Sequence, residues 1–154
     1  MSLNVGDKIK DLSIYDSEKK LRNLSEWSGK RILIAFFPGA YTGVCDDELC
    51  TLDEFRGLED LNVEILGITV DSPFVLKNWK KQTNTSITLL SDFNYEFIEY
   101  FDSQFTGLGG LEDYQSANRS LFIIEPDGAV SYRWDADSPG NLPDFDELKS
   151  KITG

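Results

Sequence analysis

The sequence predicts an α/β fold: a mixed β-sheet with helices on both faces and an N-terminal hairpin extension. Two strongly apolar runs, residues 31–37 and 63–70, have the composition of buried strands, and each precedes a segment with helical signals. Residues 119–125 and 129–134 flank the turn Pro126-Asp127-Gly128 and predict a hairpin. Strands that alternate with helices and then end in a hairpin are typical of a mixed sheet.

The remaining elements follow in chain order. Residues 1–30 predict a short hairpin, with a helical turn near 24–27. Ser72 followed by Pro73 predicts a helix to about residue 82, with Phe74 or Val75 facing the core together with Trp79. The other predicted elements are helices at 43–58, 94–101 and 143–152 and a strand at 87–90.

Residues 102–118 contain three glycines and no clear period, so they are predicted to be a long loop. Loops of that length in compact domains are commonly functional or mobile. No repeat, low-complexity tract or linker interrupts the chain, and the sequence therefore predicts one domain over residues 1–154.

Composition excludes several classes of function. A formal net charge of −12 argues against nucleic-acid and anionic-membrane partners, which need basic surfaces. The chain has no histidine, which excludes Ser-His-Asp and Cys-His catalysis and an ordinary Cys/His zinc site. We predict no metal and no cofactor. Without a signal-like N-terminus or an apolar run of about 18 residues, a cytoplasmic location is expected.

Both cysteines lie in residues 38–50, PGAYTGVCDDELC. Pro38 cannot donate to a strand ladder and ends the buried strand before it. Thr42 is a candidate cap for the helix that follows. Cys45 then falls in the first helical turn, where free N–H groups and the helix dipole favour an anion. A thiol in this position is biased toward the nucleophilic thiolate.

A helical wheel separates the two cysteines. Cys45 lies on the apolar face, whereas Cys50 lies roughly 140° away at 100° per residue, among aspartates and glutamates. In a regular helix their Cα atoms would be about 8–9 Å apart, which exceeds the reach of a disulfide, about 7 Å. A bond between them requires this turn to unwind. Glu48 also falls on the apolar face, and a buried carboxylate needs a partner.

The motif Pro38-x-x-x-Thr42-x-x-Cys45 resembles the signature of the peroxiredoxins. Arg119, which opens a strand of the form R-S-L-F-I-I, is similar to the arginine of that family. Cys50 resembles the resolving cysteine of the bacterioferritin comigratory protein (Q-type) group, and the similarity extends over nearly the whole chain.

The resemblance implies a thioredoxin-like fold and a thiol-dependent peroxidase that reduces hydrogen peroxide and organic hydroperoxides. Cys45 would attack the peroxide and become a sulfenic acid. Thr42, Arg119 and backbone amides would bind the peroxide oxygens, and Pro38 would cover the sulfur. Cys50 would condense with the sulfenic acid to give a Cys45–Cys50 disulfide. A thioredoxin-like or other dithiol protein would then reduce it.

Local charge supports the need for Arg119 independently. Asp46, Asp47 and Glu48 suit a helix N-terminus, but they would repel a thiolate at Cys45 and raise its pKa. A nearby cation would offset this repulsion. We expect Glu48 to orient an arginine of the site.

Other functions stay open at this point. Each residue also has a simpler interpretation: Cys45 as a small apolar side chain, Thr42 as a cap and Arg119 as a surface ion-pairing residue. A one-cysteine peroxidase would use an external thiol in place of Cys50. A general dithiol–disulfide oxidoreductase would normally carry C-x-x-C at this helix start. An acidic domain that binds a partner or a divalent cation at Asp46-Asp47-Glu48 is the third alternative, and the chain could be a monomer or a homodimer.

Overall fold

The computed structural model describes residues 3–56 and 63–153, except for the side chains of Cys45, Phe55, Arg56 and Thr153. The strands are β1 (Ser13–Asp16), β2 (Leu21–Asn23), β3 (Ile32–Phe36), β4 (Glu64–Thr69), β5 (Thr88–Ser91), β6 (Gln104–Thr106), β7 (Gln115–Ala117), β8 (Ser120–Ile124) and β9 (Val130–Asp135). The α-helices are α1 (Gly43–Arg56), α2 (Pro73–Thr83), α3 (Glu96–Tyr100) and α4 (Phe145–Thr153), and 3₁₀ turns cover Leu24–Trp27 and Leu108–Gly110.

Seven strands form one mixed sheet in the order β2-β1-β5-β4-β3-β8-β9. The three central strands β5, β4 and β3 are parallel to one another, whereas β1 and β8 join them antiparallel. The β1–β2 hairpin therefore extends the sheet beyond β5, and the β8–β9 hairpin completes the other edge. The predicted mixed sheet with an N-terminal hairpin is confirmed.

Apolar side chains bury both faces of this sheet. One core combines alternate strand residues with α1, α2 and α4, and includes Leu49, Leu76, Trp79 and Leu148. The other core packs the first 3₁₀ turn and α3 against the opposite face, and includes Trp27, Phe97 and Phe101. All five residues of β3 are buried, because this strand lies inside the sheet with both faces covered. The prediction of helices on both faces is confirmed.

The predicted inward face of α2 is confirmed for Trp79 and was wrong for Phe74 and Val75. Phe74 is 69% exposed and Val75 is also exposed, whereas Leu76 and Trp79 are buried. The Ser72 side chain accepts a hydrogen bond from the Val75 amide at the start of the helix. Five residues at about 100° each place Phe74 roughly 140° from Trp79, so the two cannot share a face.

Residues 102–118 also differ from the prediction. They form the two-stranded β6–β7 sheet, joined through a 3₁₀ turn that begins after Gly107 at φ 102°. Strands of three residues are too short to show a period in the sequence. The predicted extension of α1 to residue 58 lies outside the described residues. No helix in the described ranges is long and apolar enough to cross a membrane.

Candidate active site

The loop between β3 and α1 is held closely against the sheet. Pro38 and Gly39 are buried directly after β3. The Thr42 hydroxyl donates to the Gly39 carbonyl at 3.0 Å, and the Ala40 amide donates to Asp71 Oδ2 at 2.8 Å. These bonds fix the loop that precedes the first cysteine.

Helix α1 begins directly after this loop. It starts at Gly43, and the Asp46 amide donates to the Thr42 carbonyl at 3.0 Å, which closes the first helical turn. Cys45 is the third residue of the helix, so its backbone lies where amide groups are left without helical partners and the dipole is positive. The prediction that Cys45 lies in the first helical turn is confirmed. The prediction that its side chain is buried lies outside the described side chains.

A buried ion pair lies one turn further along α1. Glu48 is fully buried and Arg119 is 1% exposed, and Arg119 Nη1 donates to Glu48 Oε1 at 2.7 Å. Arg119 Nε donates to the Pro139 carbonyl at 2.9 Å. The antiparallel register pairs Phe36 with Ser120, and this pairing brings Arg119 beside the end of β3. The expected partner of Glu48 is therefore Arg119, 71 residues away in the chain.

The charge of Glu48 is only partly compensated. Its second oxygen, Oε2, is buried and has no hydrogen-bond donor among the described residues. Burial raises the pKa of Glu48 to about 7, although the charge and hydrogen bond of Arg119 act in the opposite direction. This carboxyl therefore keeps its proton to a higher pH than an exposed glutamate does.

Cys50 has a different environment. It is exposed and is not part of a disulfide, as the helical wheel predicts. Although Cys50 is exposed, the protein atoms around its thiol displace part of its hydration and raise its pKa, and the charges of Asp46, Asp47, Asp53 and Glu54 add to this effect. Cys45 and Cys50 share the same continuous helix, so their Cα atoms are about 8–9 Å apart by helix geometry.

Side-chain hydrogen bonds anchor both parts of α1. Trp79 Nε1 donates to Asp46 Oδ1 at 2.6 Å, which ties α2 to the first turn of α1. Further along, Asp53 Oδ1 accepts from the Ser86 hydroxyl at 3.0 Å. Among the described residues, no three histidine, cysteine, aspartate or glutamate side chains converge as metal ligands would. Since Asp46 and Glu48 have protein partners, a cation site at Asp46-Asp47-Glu48 is not supported.

Sequence reasoning missed the residues that support the loop from the neighbouring elements. Asp71 follows β4 and accepts the Ala40 amide, and Asn78 Nδ2 donates to the Tyr41 hydroxyl at 2.6 Å. Tyr41 adopts a left-handed φ of 68°, which a non-glycine residue rarely takes. A signal for Asp71 was available, because polar residues after adjacent parallel strands meet at one edge of a sheet.

This chain is similar in sequence and in fold to a known class of proteins. The model of the AhpC/TSA family matches residues 5–133, and the chain belongs to that family. It is 30% identical over 138 residues to a protein named Peroxiredoxin Bcp from Escherichia coli (strain K12), covering 86% of each chain. A Peroxiredoxin Bcp from Bacillus subtilis (strain 168) is 27% identical over 135 residues, with 87% of this chain and 86% of the relative covered.

Solved structures agree on the fold. PrxQ of Xylella fastidiosa, solved as a cysteine-to-serine mutant, superposes with a TM-score of 0.86 at 19% identity and covers 99% of this chain and 96% of its own. Peroxidoxin BcpB of Mycobacterium tuberculosis superposes with a TM-score of 0.83 at 22% identity, and the match covers 97% of this chain and 96% of BcpB. The thioredoxin-like fold and the resemblance to the Bcp/Q-type group are confirmed. The protein is a peroxiredoxin, a thiol-dependent peroxidase.

Proposed function

We propose that Cys45 is the peroxide-reactive thiol of this peroxidase and that Arg119 stabilises its thiolate and the transferring oxygen. The buried Glu48–Arg119 pair carries this proposal. This pair holds the Arg119 guanidinium against α1, which starts two residues before Cys45, in a chain whose net charge is −12. A cation here offsets the acidic first turn of α1, and helix-start amides add hydrogen-bond donors.

In the proposed reaction the Cys45 thiolate attacks the terminal peroxide oxygen and breaks the O–O bond. The sulfur becomes a sulfenic acid, and the leaving oxygen departs as water or an alcohol after protonation. Hydrogen peroxide and organic hydroperoxides both fit this step. Thr42 would bind the peroxide, Pro38 would exclude water from the sulfur, and Glu48 would orient Arg119.

Two variants test these roles. Cys45→Ser is expected to abolish peroxide turnover. Arg119→Met is expected to raise the pKa of Cys45 and slow peroxide reduction by at least tenfold, as removal of one stabilising charge typically does. Arg31→Met is a matched control, because Arg31 also pairs with a carboxylate, Glu125, but at the opposite end of β3. Substantial activity in Cys45→Ser, or equal effects of the two arginine changes, would contradict the assignment.

We further propose that Cys50 resolves the sulfenic acid in the same chain. The Cys50 thiol would attack Cys45, form the disulfide and release water. The reduced helix keeps the two Cα atoms beyond disulfide reach, so at least one turn must unwind. Unwinding would break the bond between Trp79 and Asp46, which makes Trp79 the expected fluorescence reporter.

Stopped-flow fluorescence of the reduced protein with peroxide tests this step, followed by mass spectrometry of the product. Wild type is expected to show an intramolecular disulfide, and Trp79→Phe is expected to lose most of the signal change. Cys50→Ser should stop at the sulfenic acid and become over-oxidised. If wild type instead keeps Cys50 free, the protein is a one-cysteine peroxidase that uses an external thiol.

The remaining assignments are also proposals. One domain over residues 1–154 is supported by the two cores, which cover opposite faces of a single sheet. Unfolding followed by two probes would test this proposal, because one domain should unfold in a single cooperative transition.

We also propose that the protein is cytoplasmic and is a monomer or a homodimer. A thioredoxin-like or other dithiol protein would reduce its disulfide. Cell fractionation and sedimentation analysis test the location and the oligomeric state.

A further inference from the structure

Helix α2 carries a concentration of positive charge that is unusual for this chain. The whole protein has 27 acidic and 15 basic residues, yet α2 contains Lys77, Lys80 and Lys81 and no acidic residue. Phe74, at the start of the same helix, is 69% exposed. We call the four lysines Lys19, Lys77, Lys80 and Lys81, together with Phe74, the α2 basic surface.

Contacts between two elements build this surface. Lys19, from the β1–β2 turn, lies with Nζ 5.3 Å from the centre of the Phe74 ring. Lys77 Nζ lies 3.5 Å from Glu18 Oε2 in the same turn. A shallow cavity of about 470 Å³ opens along the helix, lined by Glu18, Phe74, Lys77, Asn78, Lys80 and Lys81. The surface therefore combines an exposed aromatic ring, a residue type enriched at protein interfaces, with lysine charges that can attract an acidic partner.

The α2 basic surface is continuous with the active-site loop. Asn78, which lines the cavity, donates to the Tyr41 hydroxyl in the loop before Cys45. The next residue, Trp79, donates to Asp46 in the first turn of α1. A protein bound on α2 would therefore stand beside the helix that carries both cysteines.

We propose that the α2 basic surface is the docking site for an acidic protein dithiol, the reductant of the Cys45–Cys50 disulfide. This inference rests on the proposed function. An acidic partner is repelled by the net charge of −12 and by the carboxylates around Cys50. The lysines of α2 supply local attraction, so charge orients the partner onto α2. Phe74 provides the apolar anchor.

The reaction at this interface is thiol–disulfide exchange. A thiolate of the partner attacks one sulfur of the disulfide and releases the other as a thiolate, giving a mixed disulfide. The partner's second thiolate then attacks its own sulfur in that bond. The partner leaves as a disulfide, and the protein regains two thiols after it takes up the two protons that the dithiol lost.

The test uses an acidic thioredoxin as the probe, regenerated by NADPH and thioredoxin reductase, with hydrogen peroxide as substrate. The double variant Lys77→Glu/Lys81→Glu is expected to lower kcat/KM for thioredoxin by about tenfold or more, because electrostatic steering changes association rates by that order. Phe74→Ser should also raise the KM for thioredoxin. Turnover with dithiothreitol should be unchanged in each variant.

Lys8→Glu/Lys30→Glu is the matched control. Both lysines are exposed. Lys8 lies near the β8–β9 turn and Lys30 lies just before β3, at the opposite end of the sheet from the loop between β3 and α1. The control makes the same change in total charge. If it lowers kcat/KM as much as the α2 variant, or if the α2 variant has no effect, the docking proposal is wrong. If wild type does not reduce peroxide when dithiothreitol is the reductant, the proposed function itself is wrong.

Two other binding partners of the α2 basic surface would give different experimental results. If α2 contacts a second copy of this chain, Lys77→Glu/Lys81→Glu will abolish self-association in sedimentation analysis and leave thioredoxin kinetics unchanged. If α2 contacts lipid, wild type will bind anionic phosphatidylserine vesicles and the double variant will not, again with unchanged thioredoxin kinetics. Either result overturns the proposal.

Discussion

The substitution Glu48→Gln is expected to flatten the pH dependence of folding stability. Burial raises the pKa of Glu48 from an ordinary value of 4.5 to about 7. Between these values the folded protein holds a proton on this carboxyl that the unfolded chain has lost, so the free energy of unfolding falls as pH rises. The slope is steepest in the middle of this interval, at about 1.4 kcal/mol per pH unit, and the whole interval removes about 3 kcal/mol.

The geometry makes glutamine a suitable replacement. The amide oxygen of the substituted side chain can still accept from Arg119 Nη1, which lies 2.7 Å from Glu48 Oε1 in the present structure. The variant replaces an ionisable partner of the Arg119 charge with a neutral one, so its absolute stability will also change. The informative quantity is therefore the slope of stability against pH and not its level at one pH.

Urea unfolding followed by tryptophan fluorescence, at steps from pH 4.5 to pH 7.5, measures that slope. The stability of wild type minus that of Glu48→Gln should decrease by about 3 kcal/mol over the interval. Glu112→Gln, which removes a charge from an exposed position, controls for the change in net charge. Parallel curves for wild type and Glu48→Gln would refute the claim that burial dominates the titration of this carboxyl.

Two further predictions concern the core and Cys50. Gly67→Ala should lower the free energy of unfolding by about 1–3 kcal/mol, because a Cβ there would lie 2.9 Å from the buried Leu89 side chain. Thermal unfolding measures this loss, and an unchanged Tm would show that the Leu89 side chain can move aside. In Cys45→Ser, where Cys50 is the only thiol, adding Asp47→Asn should lower the pKa of Cys50, since Asp47 helps to raise it. Alkylation rates against pH measure this change, and superimposable profiles would contradict it.

Local patterns in the sequence were sufficient to predict much of this protein. The apolar run of β3, the helix after it and the turn of the β8–β9 hairpin depend on neighbouring residues, and their periods are visible in the chain. The same local geometry placed Glu48 on the buried side of α1 and Cys50 on the exposed side. The motif from Pro38 to Cys45 was sufficient to indicate the family.

Tertiary structure decided the contacts that local periodicity does not specify. Arg119 reaches Glu48 because β8 pairs antiparallel with β3 in one register, and a shift of one residue would turn its side chain to the other face. Asp71 supports the loop because β4 lies parallel beside β3. These positions depend on strand order and packing between distant residues, which no local pattern encodes.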